Sequence, residues 1–246
     1  MKQMRRDILK AAFNAGEGHI ASAFSILEVV DCIYANFKIS GGGKDKFILS
    51  KGHASLAIYA VLSRHGLIHQ DWVEEFCDFN SDFGGHPDSL RIPEVAISSG
   101  SLGHGLPLAV GMALAKKAEM EDGVVVVLVG DGELNEGSNW ESLLVASHHK
   151  LDNLHIVVDF NHSGDRAITL GRLGSKFESF GCDVAEVEGH KPDSISQIIL
   201  RESNLVKVTI AHTVKGNGLQ EMQNNPEWHH KAPDKAKFEE FMEELD

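Results

Sequence analysis

The 246-residue sequence predicts an α/β fold, a three-layer arrangement in which helices cover both faces of an open, mostly parallel sheet, built as one domain over residues 1–246. Two observations carry this. Residues 124–129 (VVVVLV) are an unbroken β-branched run, the pattern of a strand covered on both faces. Similar short apolar runs at 155–159 (HIVVD), 184–188 and 206–211 (VKVTIA) alternate with helix-like stretches, which is the order of successive strand–helix–strand units.

Taken in order, residues 1–15 and 25–37 carry helical periodicity, the second through Ile26, Val29, Val30 and Ile33. GGGKDK at 41–46 breaks it before a short strand at 47–50 (FILS). Residues 54–64 again read as helix, and 80–93 (NSDFGGHPDSLRIP) as loop. A helix from Leu106 to Glu121 tolerates Pro107 in its first turn. The strand at 124–129 runs into GDGELNEG, a helix follows through Ser147, and 155–159 returns as the next strand. At 234–246, Phe238, Phe241, Met242 and Leu245 fall at i, i+3, i+4 and i+7, so the segment reads as a short amphipathic helix.

The charge balance, 23 Lys and Arg against 36 Asp and Glu, gives −13 and argues against nucleic acid, which needs a basic face. No apolar stretch approaches the length of a membrane span, and the first residues (MKQMRRD) lack a signal-peptide core, so the expected location is cytoplasmic, without a membrane partner. Cys32, Cys77 and Cys182 are isolated, with no CxxC, and are expected reduced.

Asp131 and Asn161 each stand just past a predicted parallel strand, thirty positions apart, room for one helix and a return strand. Ligands of such sheets bind beyond the carboxyl ends of the strands. A carboxylate and an amide oxygen there suit a hard cation such as Mg²⁺ that leaves positions open for phosphate oxygens. Gly130 and Gly132 allow close backbone approach, and the helix starting near Glu136 is expected to aim its N–H groups at the same place. Taken alone, GDG is equally a strand-to-helix turn capped by Asp131; Asn161 favours a ligand. Gly-His dipeptides are also over-represented: random order predicts about 1.4, whereas five occur, at His19, His53, His86, His104 and His190. At least four are placed where a loop meets an element, within reach of a ligand. Each one singly reads as a cap or a packed surface histidine.

At GEGHIASAFS (16–25), ILSKGHAS (48–55), GGHP (84–87), SGSLGHGLPLAVGMALA (99–115), GDGELNEGSNWE (130–141), HHKLDNL (148–154), VVDFN (157–161), HTVKGNG (212–218) and NNPEWHHKAP (224–233), the chain resembles transketolase, in particular the N-terminal subunit of transketolases split over two polypeptides. The resemblance covers almost the whole chain. It implies the thiamine diphosphate-binding fold, thiamine diphosphate and Mg²⁺ as cofactors, and transfer of a two-carbon ketol unit between sugar phosphates. It implies Asp131, Asn161 and, through a main-chain carbonyl, Ser163 as metal ligands. His53, Leu102, Gly103, Gly130, Gly132, Glu133 and His229 fall at cofactor-binding positions. His19, His86 and His229 match catalytic histidines, and Glu136 the carboxylate linked across a dimer interface to the cofactor-activating glutamate. It also implies a C-terminal pyrimidine-binding subunit, since 246 residues match only the diphosphate-binding half, and an α2β2 assembly inactive without it. Ala21, Ser22, His230 and the segment HSGDRAITLG after Asn161 depart from the family pattern, which bears on substrate choice. The competing readings are a subunit of a 2-oxo acid dehydrogenase or deoxyxylulose phosphate synthase type, and a non-catalytic scaffold.

Overall fold

In the computed structural model, which describes residues 1–39 and 42–246, the elements follow one another as α1 (Lys2–Ala15), α2 (Ile20–Asn36), β1 (Lys46–Leu49), α3 (Ser55–Arg64), α4 (Trp72–Glu75), α5 (Gly105–Ala118), β2 (Val125–Gly130), α6 (Gly137–His148), β3 (Leu154–Phe160), α7 (Leu173–Ser179), β4 (Asp183–Glu188), α8 (Pro192–Ile199), β5 (Lys207–His212) and α9 (Lys235–Glu244). Gly41, within the expected 41–46 turn, lies outside the described residues. The five strands pair in the order β1-β2-β3-β5-β4, every pairing parallel.

The β-branched run explains the layering. In β2, Val126 and Leu128 enter one apolar cluster while Val125, Val127 and Val129 enter the other, so both faces are buried as a parallel sheet requires. On the first face α2 lies between α3 and α8, with α1 outside it; on the second, α5 packs against β2 and α6, and α7 against β4. Each such valine or leucine contributes about 1.5–3 kcal/mol by leaving water. No helix among the described residues is long and apolar enough to cross a membrane.

Two element boundaries differ from the sequence expectation. α2 begins at Ile20, not 25, because the helix is buried on nearly every side from Ile20 to Tyr34, and a helix without a polar face shows no periodicity to mark its start. α5 stops at Ala118, three residues early: Met120 adopts φ 54° and Glu121 N–H turns back to the Lys116 carbonyl at 2.8 Å, a left-handed stop.

Candidate functional site at the carboxyl edge of the sheet

Parallel pairing brings the carboxyl ends of β1, β2, β3 and β5 to one edge, and the residue just past each strand is polar: Ser50 and Lys51 after β1, Asp131 after β2, Asn161 after β3, Thr213 and Lys215 after β5. Asp131 and Asn161 therefore stand on neighbouring strand tips. Asp131 Oδ1 accepts the Gly132 N–H at 2.7 Å and Oδ2 accepts the Gly164 N–H at 3.3 Å. The two tips touch through backbone: a Cβ on Gly164 would lie 2.7 Å from Gly132 Cα, so only glycine permits this approach. Asn161 Nδ2 donates inward to Ser25 Oγ and Asp159 Oδ2, both at 3.0 Å, which fixes the amide orientation, and its Oδ1 accepts the Ser163 N–H at 3.0 Å.

Behind these tips lies a buried hub that sequence reasoning missed. Asp159, 1% exposed, receives Lys51 Nζ at 2.5 Å and Asn161 on Oδ2, and Ser25 (2.7 Å) and Thr213 on Oδ1. Lys51 and Lys215 are both buried, and Lys215 Nζ donates to His229 Nδ1 at 2.8 Å. An ammonium only donates, so His229 accepts on Nδ1 and carries its proton on Nε2. Burial, then the neighbouring Lys51, pull the pKa of the Lys215 ammonium down to about 8, whereas burial and the Asp159 charge push that of the Asp131 carboxyl up. Both shifts record buried like charges, which a metal and an anion between them would offset.

Of the five Gly-His histidines, His19 and His53 meet at the centre with ring centroids 5.2 Å apart, and His229 closes the triangle at 5.3 and 5.9 Å. His230 lies against His19 at 4.4 Å. Burial first, then His230, His229 and His86, hold the pKa of His19 down to about 3; burial and Lys51 lower His53 below the usual imidazole range. These imidazoles are neutral near pH 7 and so act as hydrogen-bond partners, not as charges. His86 is exposed on its loop, its ring 3.3 Å from where a Cβ on Gly100 would stand.

The remaining two Gly-His residues do not join the cluster. His104 is exposed, with Nδ1 3.1 Å from the Leu102 carbonyl of its own loop. His190 is built into the framework, with Nδ1 on Glu28 and Nε2 accepting the Val214 N–H. The geometry after Asp131 also differs from expectation. A 3-10 turn at Gly132–Asn135 stands between β2 and α6, so the N–H directed at Asp131 is that of Gly132, and Glu136 is the exposed N-cap of α6. Gly103, at φ 81°, packs against it, for a Cβ there would lie 2.6 Å from Glu136 Cβ; Leu102 beside it is 38% exposed. Glu133 spends its carboxylate on the chain, accepting Ser50 Oγ (2.5 Å) and Gly103 N–H (2.9 Å) on Oε1 and Gly130 N–H (3.2 Å) on Oε2. It ties three loops together instead of facing the crevice.

The fit to a hard cation rests on this donor set. Asp131 and Asn161 supply a carboxylate and an oriented amide, all-oxygen chemistry, and two buried lysines stand where anionic oxygens would extend from the cation. A parallel sheet whose carboxyl edge joins oxygen donors, buried ammonium groups and neutral imidazoles defines an α/β protein that binds a phosphorylated ligand. A family model described as the transketolase thiamine diphosphate binding domain matches residues 2–244, and the chain belongs to that family. It is 37% identical to one of the named subunits of apulose-4-phosphate transketolase from Actinobacillus succinogenes, over 99% of this chain and 94% of the relative, and 32% identical to the protein of the same name from Phocaeicola vulgatus, over 98% and 90%. The crystal structure of transketolase from Campylobacter jejuni superposes with a TM-score of 0.86 at 26% identity, covering 99% of this chain but 42% of that one.

Proposed function

We propose that the chain is the diphosphate-binding subunit of a two-polypeptide transketolase, a single domain that transfers a two-carbon ketol unit from a ketose phosphate to an aldose acceptor only when joined by a pyrimidine-binding partner, as α2β2, in the cytoplasm. One observation carries the reading: two oxygen ligands on adjacent strand tips face two buried lysines, a charge pattern complementary to a magnesium diphosphate. Both relatives above are named as one subunit of an enzyme, which supports a second polypeptide, and apulose 4-phosphate in those names supports a sugar phosphate as substrate.

In this reading Asp131, Asn161 and the Ser163 carbonyl hold Mg²⁺; Lys51, Lys215, His53, Gly130, Gly132 and His229 receive the diphosphate. Thiamine diphosphate, when bound, supplies a thiazolium carbon that acts as the nucleophile. Glu133 keeps Gly103 and Gly130 in place around it, with Leu102 at the open side of the loop. His19 and His86, neutral and facing the mouth, exchange hydrogen bonds and protons with substrate hydroxyls. Glu136, exposed at the start of α6, is placed to meet a partner chain.

The test is calorimetric titration of thiamine diphosphate with Mg²⁺ into the chain alone and co-purified with a candidate partner, with Asp131→Ala as control. The proposal expects Mg²⁺-dependent binding abolished by the substitution, and ketol transfer from xylulose 5-phosphate only with the partner. Full turnover by the isolated chain, or cofactor binding indifferent to Asp131, refutes it.

A further inference from the structure

His190 is the Gly-His histidine that the crevice leaves unused, yet it is the middle of a buried chain. Arg5 Nη2 donates to Glu28 Oε1 at 2.5 Å, and His190 Nδ1 stands 3.0 Å from Glu28 Oε2. The Arg5 and Glu28 side chains are 8% and 5% exposed. His190 Nε2 accepts the Val214 N–H at 2.8 Å, so the proton must sit on Nδ1 and donate to Glu28: the tautomer is set by the network. Arg5 uses its remaining reach on the far side, with Nε donating to the Asn217 carbonyl at 3.0 Å.

The two anchored backbone groups, at 214 and 217, bracket Lys215. Strand pairing has ended one residue earlier, where Thr213 N–H meets the Phe160 carbonyl at 3.3 Å, so Val214 N–H depends on the imidazole. The segment is held elsewhere by Gly216 N–H on the Ala21 carbonyl and Asn224 N–H on the Lys215 carbonyl, both 2.9 Å. Gly218, at φ 111°, has no Cβ because one would stand 2.7 Å from Arg5 Nε. A buried ammonium aimed at a ligand from a loop needs a support that holds its backbone, and such partners are commonly worth ten- to a hundredfold in affinity.

We propose that Arg5, Glu28 and His190 form a positioning chain that sets Lys215, from beneath, against the anion held at the sheet edge. The inference rests on the reading that Lys215 receives the diphosphate. It makes residues of α1 and α2 determinants of cofactor affinity although none of the three touches the crevice residues.

The test separates the two ring nitrogens of His190. In His190→Asn the amide can keep the Glu28 contact in the place of Nδ1 but no longer reaches Val214; in His190→Gln the longer side chain restores an acceptor for Val214 N–H in the place of Nε2. The full chain is titrated calorimetrically with thiamine diphosphate and Mg²⁺, alongside Lys215→Ala and the double variant His190→Asn/Lys215→Ala, with thermal unfolding as the folding check. His190→Asn is expected to weaken binding about tenfold, His190→Gln to stay within about twofold of the parent, and the double variant to bind no worse than Lys215→Ala. A merely structural histidine predicts independent losses that multiply, and that outcome, or parental affinity in His190→Asn, overturns the proposal. Parental affinity in Lys215→Ala removes its premise, whereas loss of all binding in Asp131→Ala with normal binding in Lys215→Ala leaves the metal site standing and this inference refuted. If His190→Asn fails to fold, the same cycle is run with Gly218→Ala, which displaces Arg5 from Asn217; multiplying losses there overturn the proposal too.

Discussion

Lys51 and Asp159, 108 positions apart in sequence, meet at 2.5 Å with side chains 4% and 1% exposed. Asp159 also takes hydrogen bonds from Ser25, Thr213 and Asn161, so one carboxylate joins α2, the end of β1, β3 and the segment after β5.

Removing that carboxylate leaves a buried ammonium without a counter-charge. Asp159→Ala is expected to cost about 3–5 kcal/mol in urea unfolding, while the paired change Lys51→Met/Asp159→Leu costs less than Asp159→Ala alone. A double variant as unstable as the sum of its single changes would show that the pair is not the source.

At Asp131, stability and function pull apart. Burial and the Asp159 charge raise the pKa of its carboxyl, so at neutral pH the carboxylate is held at a cost. Asp131→Asn should therefore raise the melting temperature of the metal-free chain by about 2–4 °C while weakening Mg²⁺-dependent cofactor binding at least tenfold. Chelation of Mg²⁺ in the parent should give the same loss of cofactor without the gain in melting temperature. A lower melting point for the variant contradicts the argument.

The strand tips tolerate no side chain at 164. In Gly164→Ala the methyl meets Gly132 Cα at 2.7 Å and Asp131 carbonyl carbon at 3.1 Å, backbone that cannot step aside without parting the tips. Binding of thiamine diphosphate with Mg²⁺ should weaken by about 10- to 100-fold, with a melting temperature lowered by a few degrees at most. Gly137→Ala, where no atom lies within 4 Å, is the control and should bind normally.

Acid sensitivity has a named source away from the site. His155 is fully buried; Nε2 lies 2.9 Å from Thr209 Oγ1, but Nδ1 has no partner. Burial, then Lys207 and Arg201, keep its pKa well below 6.5. The unfolded chain takes up this proton near pH 6.5 while the folded chain does not, so stability is intact above that value and is lost as pH falls below it. His155→Leu should flatten the slope of unfolding free energy between pH 6 and 5 by up to about 1.4 kcal/mol per pH unit. An unchanged slope assigns the acid loss elsewhere.

The sheet is legible in the sequence because its strands are buried on both faces and so appear as runs such as VVVVLV, and Asp131 and Asn161 are legible because a parallel strand announces where its carboxyl end lies. The metal-side chemistry can thus be anticipated from spacing. Lys51, Lys215 and Asp159 cannot, although each sits inside a motif of the family, because burial of a charge is decided by partners far along the chain. A lysine just past a strand in a Gly-rich, otherwise uncharged segment (SKGH, VKGN) is the available signal. The excess of Gly-His pairs marks loop-to-element junctions correctly, but spacing cannot separate His53, inside the crevice, from His190, inside the framework.

The segments that converge on Asp159 are supplied by four separate passes of the chain across the sheet. No contiguous half of the polypeptide contains them all: a break between β2 and β3 would leave Lys51 in one piece and its counter-ion in the other. Competence to hold a ligand therefore arises only at the last stage of folding, and a proteolytic nick there would silence the crevice even where each fragment kept its secondary structure.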